Sequence, residues 1–108
     1  MTQRVYRVDG LPEGCIDASA AFHADHLGEV RTLLATADCS ALAIVLPIAG
    51  TDHDDWRTAL ARDLARDATP KRVNIVAGDA VDSVLYYLEI APGVTGQNLP
   101  QRAGEAAG

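Results

Sequence analysis

The chain has 108 residues, enough for one small domain with a single two- or three-layer core. Hydrophobic residues make up 48% and charged residues 22%, which is globular composition and excludes a disordered chain. The formal net charge of −6 argues against nucleic acid or an anionic membrane as the main partner, and the arginines are scattered without forming a patch.

Residues 3–8 alternate polar and apolar, as a strand near a sheet edge does. Gly10, Pro12 and Gly14 then break regular structure over residues 9–14. Asp17 or Ser19 can cap a helix running to about residue 37, with Phe22, Val30, Leu33, Leu34 and Ala37 on its core face and Gly28 as a weak point. A second parse makes residues 18–23 a strand and starts the helix after Asp25; one long helix is the preferred reading. Residues 41–48 are the most hydrophobic run and suit a strand covered on both faces. Thr51 to Asp55 offer helix caps, and Trp56, Leu60, Ala61, Leu64 and Ala68 stripe one face as far as the turn at Thr69-Pro70.

Arg72 to Ala77 reads as another buried strand, closed by Gly78. Asp79 stands where an N-cap belongs, and Val81, Val84, Leu85 and Leu88 recur at one helical face. The other side of this helix carries a second apolar stripe, Ala80, Ser83, Tyr87 and Ile90, with Tyr86 at its edge. Residues 92–96 form a loop, residues 98–100 a short edge strand, and residues 101–108 a flexible tail. Strands alternating with helices predict an α/β fold: a mostly parallel sheet of about four strands with right-handed crossover helices. This is a minimal Rossmann-like three-layer sandwich, one domain over residues 1–100.

Three stretches resemble the short-chain dehydrogenase/reductase family. Arg72-Val73-Asn74-Ile75-Val76-Ala77-Gly78 is similar to its late strand, Arg-Val-Asn-x-Val-x-Pro-Gly. The helix from Val81 to Glu89 resembles Val-Ala-x-x-Val-x-Phe-Leu. Gly93-Val94-Thr95-Gly96-Gln97-Asn98-Leu99 resembles the C-terminal signature in which Thr-Gly-Gln leads into the last strand. More weakly, Leu42 to Gly50 looks like the strand ending in Asn-Asn-Ala-Gly, keeping Ala49-Gly50, and Asp54-Asp55-Trp56 resembles the start of the next helix.

The resemblance implies a dinucleotide site and a catalytic pair, and this sequence departs from both. The family motif Thr-Gly-x-x-x-Gly-x-Gly retains Gly10 and Gly14 here, but Ile16 replaces the third glycine, where it is expected to block the approach of helix to sheet and cofactor. Asp9 and Glu13 add negative charge beside an anion. The family's Tyr-x-x-x-Lys is missing: Lys71 is the only lysine and Asp67 precedes it by four. No substrate loop follows Gly78.

Other constellations point to structure. His23 and His26 share a helix face at metal-ligand spacing, yet they are expected at the core, as structural histidines. Asp52-His53-Asp54-Asp55 is rich in oxygen ligands but stands at a helix start, where acids complement the dipole. Cys15 and Cys39 lack partners in sequence, and no signal segment opens the chain, which reads as cytoplasmic with reduced thiols. Trp56 belongs to a core stripe.

The leading expectation is a non-catalytic accessory or assembly subunit, with no catalytic residue, metal or cofactor. It pairs as a homodimer, or with an intact reductase, through Ala80, Ser83, Tyr87, Ile90, Asn98 and Leu99. The alternative is a small nucleotide- or metabolite-binding domain using the strand ends, with Gly10, Gly14, Ala49 and Gly50 as weak candidates. An enzyme using His53 and the nearby acids ranks third.

Overall fold

Aliphatic and β-branched residues fill the two central strands, and burial of those strands on both faces fixes the place of every helix. The computed structural model describes residues 2–78 and 81–100. In chain order these form β1 (Thr2–Arg7), α1 (Cys15–Asp25), α2 (Leu27–Leu34), β2 (Cys39–Leu46), a 3-10 turn (Thr51–His53), α3 (Asp54–Ala68), β3 (Arg72–Ala77), α4 (Asp82–Ile90) and β4 (Asn98–Leu99). All four strands are parallel, in the order β1-β2-β3-β4. Helices pack on both faces, so the expected minimal Rossmann-like α/β sandwich is what forms. The cap at Asp79, the interface position Ala80 and the tail at residues 101–108 lie outside the described residues.

Every residue of β2 except Ser40 is buried, as a strand covered on both sides requires. On one face Leu42, Ile44 and Ile75 meet Phe22, Val30, Leu60 and Leu64 from α1, α2 and α3. On the other, Ala43, Val45 and Val76 meet Val81 and Leu88, with Val84 and Leu85 packed alongside. Each fully buried leucine or phenylalanine contributes about 1.5–3 kcal/mol of transfer free energy, so the thicker first core is the main source of stability.

The crossovers do not share one hand. Each connection steps one strand in the same direction across the sheet. The first two place α1, α2 and α3 over one face, while the third places α4 over the opposite face. The same step on the opposite face reverses the hand. With the first two following the right-handed rule that nearly all parallel crossovers obey, the β3–α4–β4 unit is left-handed. This corrects the uniform right-handed expectation.

Residues 17–37 are likewise not one helix. α1 begins at Cys15 with Gly14 at its N-cap, so neither Asp17 nor Ser19 is the cap. The helix stops at His26, whose φ of −123° leaves the helical region, and α2 restarts at Leu27. The His26 ring sits 2.8 Å from the Tyr6 hydroxyl, which ties the break to β1, and Gly28 lowers the cost of interruption by its poor helix propensity. Residues 18–23 are helical, which removes the strand parse, and Ala37 is exposed beyond the end of α2.

Candidate functional site

Parallel strands end together, and here the carboxyl ends of β1, β2 and β3 open onto two adjoining cavities. One, of about 310 Å³, lies among Arg7, Asp9, Pro47, Ile48 and Gly78. The second, of about 490 Å³, shares Pro47 and Ile48 and extends between Leu11, Glu13, Gly50 and His53. Main-chain bonds fix the rims: Val8 N–H donates to Val45 O at 2.9 Å, and Gly78 N–H to Leu46 O at 3.1 Å. Gly78 turns the chain away from β3 at a φ of 120°, a conformation that favours glycine.

His53 joins the two loops that wall the larger cavity. It is buried, and Trp56 Nε1–H donates to its Nδ1 at 3.1 Å. Because the indole nitrogen is a donor only, Nδ1 must accept, and Nε2–H then donates to Glu13 O at 2.9 Å. The ring is therefore neutral, with both nitrogens in structural use. That arrangement leaves no nitrogen for a metal or a substrate, and among the described residues no group of three metal-ligating side chains converges.

Arg57 is the residue that sequence reading missed. It is 4% exposed, donates from Nη1 to Pro47 O at 3.0 Å, and lies 5.4 Å from the centre of the Trp56 ring. Its signal was present, since positions 57, 60, 61 and 64 complete an i, i+3, i+4, i+7 stripe that the arginine opens. The half-buried Trp56 stands beside that stripe.

The four weak cofactor-site candidates separate. Ala49 and Gly50 line the larger cavity. A side chain at Gly10 would meet nothing within 4 Å, and one at Gly14 would meet only Asp17 Oδ2 at 3.9 Å. Neither position therefore requires glycine for close approach. Ile16 does not block the sheet as expected: it is 82% exposed and faces outward from α1. The first turn of a helix points its side chains around the axis, and this one falls on the solvent side. Charges of both signs line the cavities: Arg7 faces Asp9 across the smaller one, and on the larger Glu13 and Asp52 outnumber the buried Arg57.

A denser constellation lies between β3 and the chain that leaves α4. Arg72 Nη1 donates to Leu88 O at 2.8 Å and to Ala91 O at 3.1 Å. Val73 N–H donates to Thr95 Oγ1 at 3.0 Å and Gly96 N–H to Val73 O at 2.7 Å. Asn74 donates to Val94 O and accepts from Gln97 N–H. Gly96, at φ +72°, passes with its Cα against α3, where an added Cβ would meet Ala65 Cβ at 3.5 Å. The Arg-Val-Asn and Thr-Gly-Gln segments are thus two halves of one hydrogen-bonded latch.

A family model described as "Short chain dehydrogenase-like protein" matches residues 6–101. The chain belongs to this family. Comparison with curated proteins and with solved structures found no match. In this short-chain dehydrogenase-like chain, Lys71 enters β3 at the amino end of the sheet, opposite the cavities. Its Nζ donates to Leu34 O and to Thr36 O, which caps the C-terminal end of α2.

The tyrosines are elsewhere. Tyr6 Oη meets His26 Nδ1 at 2.8 Å and Glu29 Oε2 at 3.4 Å, and burial followed by the Glu29 charge raises its pKa. Tyr86 and Tyr87 are exposed on α4. The two histidines expected at the core part company: His23 is exposed, with Nδ1 2.7 Å from Ser19 O, and the half-buried His26 serves Tyr6. Cys15 is half-buried and Cys39 buried, both as free thiols.

Of the interface candidates, Ser83, Tyr87 and Ile90 are exposed on the outer side of α4, and Asn98 and Leu99 are half-buried in β4. Among the described residues no helix is long and apolar enough to cross a membrane.

Proposed function

We propose that this chain is a non-catalytic member of the short-chain dehydrogenase-like family, a cytoplasmic assembly or accessory subunit that pairs with a second copy through α4 and β4. The observation that carries the reading is the exposure of Tyr86 (63%), Tyr87 (52%) and Ile90 (59%) on the helix side that turns away from the sheet. Aromatic and aliphatic side chains grouped in this way mark interfaces, and tyrosine is favoured at their centres. α4 has nine residues and is about 13 Å long, too short to bury about 800 Å² alone. Val5, 40% exposed on the sheet face that α4 only partly covers, and the outer edge of β4, which pairs with no further strand among the described residues, extend the patch.

Tyr87→Glu with Ile90→Glu should give a folded monomer where the wild type is a dimer by light scattering. A monomeric wild type at tens of micromolar overturns the reading; an intact reductase remains the other partner to test by co-purification.

The 490 Å³ cavity supports a second reading, a small-metabolite site at the strand ends. Glu13 and Asp52 outnumber Arg57 on its wall, which disfavours a pyrophosphate. A thermal-shift screen with nicotinamide cofactors, free nucleotides and acyl-CoA esters tests it, and stabilisation by any of them promotes this reading over the first.

A further inference from the structure

We propose that the groove between the N-terminal ends of α1 and α3 docks a basic segment of a partner protein, one that presents an aliphatic side chain between arginines or lysines. The groove is shallow and open, offers about 450 Å³, and has Ile16, Ala20 and Trp56 as its apolar lining. At 82% exposure, Ile16 is the most exposed large apolar side chain described, and none of the described residues covers it.

Acids stand around this floor. Asp52 and Asp55 line the groove, and Asp17 follows Ile16 on α1. Neither lining carboxylate forms an ion pair or a side-chain hydrogen bond among the described residues. The ends of α1 and α3 each bring about half a positive charge, which offsets about one of the two negative ones that line the groove and leaves it anionic by about one. No basic side chain lines it. An apolar floor inside an anionic rim selects a partner that is apolar at its centre and cationic around it.

Sign also decides against a second copy. The apolar face of α4 is flanked by exposed Asp82 and Glu89, so it would bring like charge to this groove. The groove and the α4 face are therefore surfaces for different partners.

Trp56 is the single tryptophan of the chain, so its emission reports directly on the groove. The probe is a capped peptide alternating arginine and leucine, with a glutamate–leucine peptide as control. The expected result is a saturable change in emission with the basic peptide alone. Ile16→Ser should weaken that binding about tenfold or more, and Asp52→Asn with Asp55→Asn severalfold; added salt should weaken it too. Ile16 is exposed, so its variant keeps the fold, which circular dichroism checks. Equal binding of the acidic peptide or of Ile16→Ser, or no saturation at millimolar peptide, overturns the proposal. A dimer that Ile16→Ser converts to monomer in sedimentation also overturns it, by assigning the groove to a second copy.

Discussion

Asn74 and Gln97 are joined side chain to main chain: Gln97 N–H donates to Asn74 Oδ1 at 3.1 Å, while the Asn74 amide donates to Val94 O at 3.0 Å. Asn74 is 2% exposed, so water cannot stand in for either partner. A polar residue in the middle of a buried strand would otherwise be a liability. Here it is the template on which the chain returns from α4 to β4.

Replacing Asn74 by leucine keeps the volume but removes the partner of Gln97 N–H and of Val94 O, both part-buried contacts. The expected loss is about 2–4 kcal/mol, read as a lower urea midpoint. A change below about 0.5 kcal/mol would mean that the latch contributes nothing net.

His53→Phe retains a ring and removes both of its hydrogen bonds. Residues 9–14 lose their tie to the start of α3, so stability should fall by about 1–2 kcal/mol. Limited proteolysis should cut first within residues 9–14, and an unchanged cleavage pattern would refute the tie.

Tyr6 sets an alkaline limit. Burial, then Glu29, raises its folded pKa above the ordinary tyrosine value. A raised folded pKa favours the neutral phenol, so this stabilisation is fully present below about pH 10 and is lost as pH rises through the folded value. Tyr6→Phe should flatten the alkaline fall in urea midpoint. An equally steep fall in the variant would assign it to other groups.

Lys71→Met separates structure from chemistry. Its ammonium group caps α2 through Leu34 and Thr36, and losing it should cost about 1 kcal/mol. Thermal unfolding is the measurement, and a melting point equal to wild type would contradict the cap.

The strands were legible because Ile, Val and Leu accumulate in runs too short for helices, and Arg72–Ala77 coincides with β3 residue for residue. The face of α4 was legible from Val81, Val84, Leu85 and Leu88. What escaped was tertiary. The break at His26 depends on Tyr6, twenty residues earlier in another element. Arg57 reads as a surface charge until Pro47 O and the Trp56 ring are seen beside it. Ile16 shows the limit of argument by motif: its position matched a glycine, but helix phase, not sequence position, decides which way a side chain faces.

The left-handed return from α4 has a consequence for synthesis on the ribosome. Once β3 has left the exit tunnel, Arg72 and Asn74 carry donors whose acceptors, Leu88, Ala91 and Val94, come later in the chain. The α1–α3 side can condense early, because its contacts lie behind it in sequence. The opposite side stays open until α4 has been made, and the nascent chain passes through a half-clad stage with one sheet face wet.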